Sequence, residues 1–548
     1  MTEVLSCRFV SSLAKGLVTD SLTAYPALSA ISVLREETLD LQLFIDSPAG
    51  PTRHLTFSVA GMEGVLVREV VSVPVDLPQY AHDTTAGTEL SLFSPSGLYP
   101  DLLQPTDRDR LYLRGGVLTA LWLSVTPTEA GVFPLGVTLY ENGEPVAEAT
   151  ITVTVAEAAL PASSLLYAHW FHYDCLADYY HVPVFSERHW EIIRSFLCVA
   201  VKNGVNCLYT PVFTPALDTD IGGERPTVQL VSVTKTGEDY AFDFSLLKRF
   251  LDMARDCGVT HFEIAHLFTQ WGAKAAPKVM VTVDGVETRL FGWDTPAAEG
   301  EYPRFLSVFL PALKAFLAKE GVLSRCRFHV SDEPTSEQLE DYRKAQAVVA
   351  PYLDDCTVMD ALSSVVFFRE GLVRTPIPGS NHIEDFMDEM IGERWTYTCC
   401  AQWNRTGNRF IAYPSFRNRI LGVQLYKFGI NGFLQWGYNY YYSMHSRRLI
   451  NPFLTQSADG QVPCGDAFDV YPAPDGTPLE SIRIAVFREA LADREALLLC
   501  EKVIGREATV RLIDQLAGKP LTFTDYPATP EYLLSLREEV NRILRQGT

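Results

Sequence analysis

Two neighbouring carboxylates, Asp332 and Glu333, end the apolar run "CRFHVSDE" (326–333), which is predicted to form a strand. Most enzymes that break glycosidic bonds use a pair of carboxylates. Acids adjacent in sequence cannot easily stand on opposite sides of a sugar ring. They suit a reaction in which the substrate's own 2-acetamido oxygen attacks the anomeric carbon. Asp332 would orient that group and stabilise the oxazolinium, while Glu333 would protonate the leaving oxygen and then deprotonate water.

The same segment also has a purely structural interpretation. "SDEP" followed by "TSEQ" is typical of a turn before a capped helix, with Thr335 as N-cap and Gln338 completing a capping box. Acids near a helix start are also favoured by the helix dipole. Because the pair follows the fourth strand of a predicted barrel, we favour catalysis over the structural interpretation.

The elements that must position these acids are predicted to belong to a multidomain α/β chain. Residues 1–158 alternate between apolar and polar in short runs separated by turn signals, as in "HLTFSVA" (54–60) and "EATITVTVAE" (148–157). This pattern predicts an N-terminal antiparallel β-sandwich.

After "AALPASS" (158–164) the pattern changes, and strand-like runs alternate with helical ones over residues 163–505. Eight such units predict a (β/α)8 TIM barrel, with the fifth and sixth strands followed by short helices. The eight strand candidates are 165–171, 206–213, 261–268, 326–333, 356–362, 373–379, 395–403 and 432–440. Residues 506–548 are predicted to form a C-terminal helical extension.

The active site of a TIM barrel lies at the C-terminal ends of its strands. Those ends are rich here in aromatic and hydrogen-bonding side chains, which suits a ligand with apolar ring faces and many hydroxyls. The residues predicted to bind substrate are His169, His172, Asp174, His266, Gln270, Trp271, Asp360, Gln402, Trp403, Trp436 and Asn439. For Asp360, a capping role is an equal alternative.

A metal site at His169, His172 and Asp174 is the weaker interpretation, because strand side chains alternate faces and the two histidines would point apart. We expect no metal and no cofactor, since no phosphate loop, Ser-His-Asp order or dinucleotide fingerprint occurs. Arg225 lies in a loop-like segment, and we expect it to pair with a surface acid, with contact to the substrate as the weaker alternative.

The bulk composition excludes some partners of this 548-residue chain. Its net charge is −21 and it has no long basic run, so no nucleic acid is expected. The sequence has no run of eighteen apolar residues, so we expect no membrane-spanning helix. The N-terminal residues lack the pattern of a signal peptide. The 11 cysteines are scattered, which indicates reduced thiols and a cytoplasmic location. The oligomeric state is left open.

Several longer segments resemble the catalytic domain of glycoside hydrolase family 123 over roughly residues 160–505. They are "HVSDEP", "HLFTQWGAKAAPK" (266–278), "RNRILGVQLYKFGINGFLQWGYNYYY" (417–442) and "GDAFDVYPAPDGTPLESIRIAVFREALADREAL" (465–497). The resemblance implies an exo-acting, retaining β-N-acetylgalactosaminidase that uses substrate assistance and needs no metal. The family's adjacent Asp-Glu pair matches Asp332 and Glu333, and its barrel is preceded by a similar sandwich.

The segments "HWFHYDCLADYY" and "TQWGA" are closer to a subgroup of uncharacterised relatives, so the sugar is less firmly implied than the reaction. The expected substrate is an oligosaccharide or a glycoconjugate fragment, and the lack of a recognisable signal favours a small imported one. Two alternatives stay open. One is a glycosidase for β-GlcNAc or for a sugar without a 2-acetamido group, and the other is a non-catalytic carbohydrate-binding protein.

Overall fold

The structure, a computed structural model, describes residues 5–92 and 95–546. Its N-terminal region contains two five-stranded sheets, ordered β1-β3-β8-β5-β6 and β2-β10-β9-β4-β7. The strands are β1 (Ser6–Ser11), β2 (Ala30–Arg35), β3 (Leu39–Asp46), β4 (Arg53–Ala60), β5 (Leu66–Val75), β6 (Gly97–Pro105), β7 (Arg110–Leu113), β8 (Leu118–Val125), β9 (Gly131–Glu141) and β10 (Glu144–Ala159).

The two sheets pack face to face, as the sequence predicts. Leu55 of β4 and Val137 of β9 meet Leu41 of β3 and Leu121 of β8 in one apolar core. Strand β3 is buried on both faces. On its outer face Phe44 packs with Val10, Leu22 and Leu118, and Asp40 accepts a hydrogen bond from Arg488 of the barrel. The prediction of purely antiparallel sheets is wrong for one pair, since β2 and β10 run parallel. Parallel neighbours need a long crossover, and here most of the N-terminal region separates the two strands in sequence.

The rest of the chain alternates strands and helices. Its elements are β11 (Leu166–His169), α1 (Tyr173–Tyr179), α2 (Glu187–Lys202), β12 (Cys207–Thr210), β13 (Ser232–Thr236), β14 (Asp239–Asp243), α3 (Ser245–Asp256), β15 (His261–Ile264), β16 (Val279–Val283), β17 (Val286–Phe291), α4 (Glu301–Lys319), β18 (Cys326–Phe328), α5 (Leu339–Leu353), β19 (Thr357–Ala361), α6 (Val366–Arg369), β20 (Thr375–Ile377), β21 (Trp395–Thr398), α7 (Phe416–Lys427), β22 (Gly432–Gln435), β23 (Val470–Pro472), β24 (Pro478–Glu480), α8 (Ile482–Ile504), α9 (Arg506–Ala517) and α10 (Pro530–Gln546).

Eight of these strands form a parallel sheet ordered β20-β19-β18-β15-β12-β11-β22-β21. A single parallel bridge between Gly379 and Tyr397 brings β20 and β21 together, so the sheet is a nearly closed barrel. Each strand lies within one of the eight predicted runs. The short connections after the fifth and sixth strands are also present, since α6 has four residues and β20 is followed only by a 3-10 turn.

One addition to the barrel is absent from the sequence prediction. Strands β13, β14, β16 and β17 form a separate four-stranded sheet from two hairpins inserted after β12 and β15. The turn of the second hairpin is Asp284-Gly285, and both residues have positive φ. An Asp-Gly pair between alternating apolar residues is a strong hairpin signal, so this sheet was detectable from the sequence.

Buried side chains join the N-terminal region to the barrel. The ammonium of Lys15 donates to the carbonyls of Ile411 at 2.7 Å and Tyr413 at 2.8 Å, and the Tyr413 hydroxyl donates to Asp83 at 2.8 Å. Burial lowers the pKa of Lys15 to about 7. The two regions therefore share an interface with polar groups that are withdrawn from water.

The C-terminal helices α9 and α10 lie beside α8, and α10 also contacts β2 and β10. Asn541 of α10 donates to the Ser32 carbonyl at 3.1 Å, and Glu538 accepts the Ser32 N–H at 2.7 Å.

Among the residues that the structure describes, no helix has the length and apolar character to cross a membrane.

Arg483 of α8 makes the most buried ionic link between the regions. Its Nε donates to Asp101 of β6 at 2.9 Å, and another guanidinium nitrogen donates to Asp469 at 2.5 Å. We expect Arg483→Met to lower the free energy of unfolding by about 3–5 kcal/mol, because the buried Asp101 loses its guanidinium partner. Asp469 loses one of two such partners and keeps Arg409. Urea denaturation followed by tryptophan fluorescence measures this change.

Arg447→Met is the matched control, because Arg447 pairs with Asp220 at an exposed position. Its expected effect is about 1 kcal/mol or less. Equal destabilisation by the two substitutions would contradict the prediction.

Candidate active site

A pocket of about 770 Å³, including its open mouth, lies at the C-terminal ends of the barrel strands. Its lining residues are Trp170, Asp218, Gln270, Trp271, Asp332, Glu333, Ala361, Tyr397, Cys399, Cys400, Leu434, Trp436, Tyr440, Met444, His445, Ala458 and Val462. Both predicted catalytic acids are in this set.

Asp332 and Glu333 follow β18 and are held by residues from or after three other strands, β15, β19 and β21. The Asp332 carbonyl accepts the N–H of Trp271 at 2.9 Å, and the Glu333 N–H donates to the carbonyl of Ala361 at 2.9 Å. The hydroxyl of Tyr397 donates to Glu333 Oε1 at 2.6 Å. The backbone of both acids and the carboxyl of Glu333 are therefore fixed by the barrel itself.

The cap of the next helix is separate from these acids. Gln338 Oε1 accepts the N–H of Thr335 at 2.9 Å, which confirms the predicted capping box. Gln338 Nε2 also donates to the Trp271 carbonyl at 2.7 Å, so the cap fixes a pocket loop as well. Capping is thus done by other residues, and the carboxyls of Asp332 and Glu333 both face the pocket.

Left-handed backbone is concentrated around the pocket. The non-glycine lining residues with positive φ are Asp218 (48°), Trp271 (58°), Glu333 (44°), His445 (60°) and Ala458 (47°). Each such residue costs roughly 1–2 kcal/mol relative to ordinary backbone. Strain of this kind persists where the surrounding structure forces it, and it is common at active sites.

The pocket favours the neutral form of Asp332. Withdrawal from solvent raises the pKa of Asp332 well above 3.8, and the charges of Glu333 and Asp218 raise it further. His329 acts in the opposite direction. The described lining contains no lysine or arginine. An anionic ligand would therefore meet repulsion here, whereas a neutral or positively charged group would not.

A buried ion-pair network lies under the acids. The two ring nitrogens of His329 contact Glu263 at 3.0 Å and Asp360 at 3.2 Å. Burial alone would lower the pKa of His329, but these two carboxylates raise it to about 9. His329 is therefore an imidazolium at neutral pH. His266, His329 and Asp360 are close enough to share a metal ion, but a metal would have to break the bonds of His329 to its carboxylates.

Of the eleven residues predicted to bind substrate, Gln270, Trp271 and Trp436 line the pocket. The other eight have their side chains outside the described lining, and these are His169, His172, Asp174, His266, Asp360, Gln402, Trp403 and Asn439. Most of them hold pocket residues or the barrel interior in place.

Asp360 and His266 belong to the network around His329. Asp360 also accepts the hydroxyl of Tyr342 at 2.5 Å and the N–H of Val330 at 3.0 Å. His266 stacks on His329 with ring centroids 4.3 Å apart. Burial lowers the pKa of His266 well below 6.5. Both side chains lie beneath the pocket because they point into the barrel.

His172 and Asp174 form a second buried cluster with Arg225. Two guanidinium nitrogens of Arg225 donate to Asp174 at 2.7 and 2.8 Å, and one lies 3.2 Å from His172 Nδ1. The expectation of a surface pair is thus wrong for Arg225, which is only 4% exposed. Arg225 also donates to the Leu217 carbonyl at 3.0 Å, so the cluster supports a loop of the pocket.

The remaining four residues have other partners. His169 lies in the barrel interior, 2.9 Å from both Arg409 and the hydroxyl of Tyr167. Asn439 exchanges two hydrogen bonds with the backbone of His172.

Gln402 accepts the Cys399 N–H at 2.8 Å and so fixes the loop that follows β21. Trp403 packs edge-on against His82 of the N-terminal region, with ring centroids 4.5 Å apart. Both residues lie beyond the end of the strand, where the chain has already turned away from the pocket.

The pocket also contains residues that the sequence did not identify, chiefly Asp218, Tyr397, Tyr440 and His445. Tyr397 lies on β21 itself, two residues after Trp395, and strand alternation could have placed it on the inner face. Asp218 and His445 lie in long irregular loops, where no periodic pattern indicates direction.

A family model described as "Glycoside hydrolase 123, catalytic domain" matches residues 170–500, more than half of the chain. A solved family 123 glycoside hydrolase from Clostridium perfringens, in a study of glycolipid glycan hydrolysis, has 14% identity and a TM-score of 0.75. The match covers 100% of this chain and 97% of that one, so it shows the same fold.

A glycosyl hydrolase family 2 member from Bacteroides cellulosilyticus has 11% identity over 83% of this chain and 49% of that one. Its TM-score is 0.27, too low to support an inference. No curated protein matches the sequence. The family match covers both acids and the pocket built around them, and the chain therefore belongs to glycoside hydrolase family 123.

Proposed function

We propose that the protein is an exo-acting, retaining glycoside hydrolase that releases terminal β-linked N-acetylgalactosamine by substrate-assisted catalysis. The observation that carries the proposal is the placement of Asp332 and Glu333 side by side on one pocket. A separate nucleophile opposite the acid is not needed when the substrate supplies its own. The natural substrate would be a glycolipid glycan or another glycoconjugate fragment.

In the first step, the acetamido carbonyl oxygen of the substrate attacks the anomeric carbon. The bond to the leaving oxygen breaks, and Glu333 gives that oxygen its proton. Asp332 holds the acetamido N–H and stabilises the positive charge that forms on the oxazolinium ring. Because that charge develops only in the transition state, its stabilisation raises kcat.

In the second step, Glu333 takes a proton from water, and the water oxygen attacks the anomeric carbon. The oxazolinium ring opens and restores the acetamido group. Two inversions at the same carbon give net retention of the β configuration. The hydrogen bond from Tyr397 holds the Glu333 carboxyl in one position through both steps.

The rest of the lining supports a neutral sugar. Trp271 and Trp436 are partly exposed and offer aromatic surfaces on which the apolar face of a pyranose can pack. Trp170 and Tyr440 also line the pocket but are largely buried. The indole N–H of Trp436 donates to Asp466 at 2.9 Å, which fixes this ring. The absence of lysine and arginine from the described lining agrees with an uncharged ligand.

The test is a panel of 4-nitrophenyl glycosides of β-GalNAc, β-GlcNAc and β-galactose, together with inhibition by a GalNAc-thiazoline. We expect hydrolysis of the β-GalNAc glycoside, no hydrolysis of the galactoside, and competitive inhibition by the thiazoline. Efficient cleavage of the galactoside would show that no acetamido group takes part. Binding of sugar without hydrolysis of any glycoside would instead favour a carbohydrate-binding protein.

The pH profile provides a further prediction. Asp332 must be ionised to stabilise the oxazolinium, and burial raises its pKa well above 3.8. Activity is therefore present above the raised pKa and is lost as the pH falls through it. We expect the acid limb of kcat/KM on the β-GalNAc glycoside to lie at a higher pH than for an ordinary aspartate. Circular dichroism over the same range separates this limb from acid unfolding. Full activity at pH 4 would contradict the prediction.

A further inference from the structure

Asp218 is a third carboxyl on the pocket, and neither proposed catalytic step uses it. It lies in the loop between β12 and β13, on the described lining. Its Oδ2 atom is buried and has no hydrogen-bond partner among the residues that the structure describes. Leaving a buried carboxyl oxygen without a partner is unfavourable, so such a group needs an explanation.

The backbone of Asp218 is held from both sides. Its N–H donates to Gln270 Oε1 at 2.7 Å, and its carbonyl accepts the hydroxyls of Ser446 at 2.6 Å and Tyr440 at 3.2 Å. The amide of Gln270 also donates to the Thr219 carbonyl at 3.0 Å. These bonds fix Asp218 in a left-handed conformation with φ of 48°.

The positive charge of Arg225, which acts on Asp218, does not explain this arrangement. The guanidinium of Arg225 is already committed to Asp174, His172 and the Leu217 carbonyl. Burial raises the pKa of Asp218 to about 7, although the charge of Arg225 acts in the opposite direction. The loop is thus rigidly built around a side chain that has no protein partner for one of its oxygens.

We propose that Asp218 determines specificity by hydrogen-bonding a hydroxyl of the terminal sugar away from the anomeric carbon. The proposal rests on the glycosidase function given above. A carboxyl that is partly protonated near neutral pH can both accept from and donate to a hydroxyl. The hydroxyls at C3, C4 and C6 are candidates. In the proposed mechanism Asp332 already binds the acetamido group and Glu333 already protonates the anomeric oxygen.

The experiment combines Asp218→Ala and Asp218→Asn with 3-deoxy, 4-deoxy and 6-deoxy versions of the 4-nitrophenyl β-GalNAc glycoside. We expect Asp218→Ala to lower kcat/KM on the parent substrate roughly 10- to 100-fold, the size of one charge-assisted hydrogen bond. Wild type should lose a similar factor on one deoxy substrate. On that substrate, Asp218→Ala should cause almost no further loss.

Asp220→Asn is the matched control, because Asp220 lies two residues away and pairs with the exposed Arg447. We expect it to behave like wild type. An equal loss for Asp218→Ala on the parent and on every deoxy substrate would overturn the proposal and indicate a structural role. No loss on the parent substrate would overturn it as well. Thermal melting checks folding, and Asp218→Asn, which keeps the shape, should show the same pairing with one deoxy substrate.

Assays of the wild-type enzyme on the glycoside panel test the proposed glycosidase function separately from the role of Asp218. If it fails on the β-GalNAc glycoside, the proposed sugar is wrong, and the deoxy series is then made on whichever panel glycoside it cleaves. If it cleaves the β-GalNAc glycoside but Asp218→Ala shows no selective loss, only the role of Asp218 is wrong.

Discussion

Glu333→Gln is expected to lower kcat on a phenyl β-N-acetylgalactosaminide by roughly 10²–10⁴-fold, the range of general acid catalysis. Glutamine keeps the shape of the side chain and can still accept the hydrogen bond from Tyr397, but it cannot give up a proton. Formation of the oxazolinium should suffer much less with a 2,4-dinitrophenyl glycoside, because that leaving group departs without protonation. Steady-state kinetics on the two substrates, with stopped-flow detection of a burst, measures the difference.

Glu337→Gln is the control for this prediction, since Glu337 is an exposed acid four residues further on. It should retain wild-type kinetics. Full activity of Glu333→Gln on the phenyl glycoside would show that another group donates the proton. Thiazoline binding by calorimetry should survive in Glu333→Gln and shows that the pocket is intact.

Asp332→Asn is expected to lower kcat by about 10²–10³-fold, the usual effect of removing one group that stabilises transition-state charge. The loss should be similar for phenyl and dinitrophenyl glycosides, because in the proposed mechanism Asp332 acts on the acetamido group and not on the leaving oxygen. Affinity for the thiazoline should fall as well. This pattern differs from that of Glu333→Gln, so the two variants separate the roles of adjacent acids.

Recovery of Asp332→Asn on the dinitrophenyl substrate would contradict this assignment and make Asp332 the proton donor. The acid limb of the pH profile offers an independent check. Since the limb is attributed to ionisation of Asp332, it should be absent from the residual activity of Asp332→Asn.

The eight barrel strands could be predicted because each lies in a short apolar run between helical segments. Such a run can be recognised from the local sequence alone. The same assignment of eight strands placed Asp332 and Glu333 at the C-terminal end of the fourth strand. Gln270, Trp271 and Trp436 could be identified because they follow the C-terminal ends of β15 and β22 within a few residues.

The rest of the site could not be predicted because it depends on where the chain turns. Strand β18 has three residues, not the eight of the predicted run, and the chain then bends through the left-handed Glu333. No glycine marks that bend. Partners such as His169 and Arg409 are 240 residues apart, and a single sequence gives no signal for such a pair. The backbone of Asp218 is fixed by bonds from Gln270, 52 residues away, and from Tyr440 and Ser446, which are 222 and 228 residues away.

The contacts of Lys15 with Ile411 and Tyr413 affect how the enzyme can be divided. The segment that carries these carbonyls also carries Arg409, which bonds the carbonyls of Gly437 and Asp466 beside Trp436. Cutting the chain near residue 160 would remove Lys15, Asp83 and Asp101, the last of which pairs with the buried Arg483. It would also expose the apolar side chains of α7 and α8 that now pack against Trp122 and its neighbours. The excised barrel would therefore be a poor starting point for engineering. We expect that an active enzyme has to be produced with the N-terminal region and the barrel in one chain.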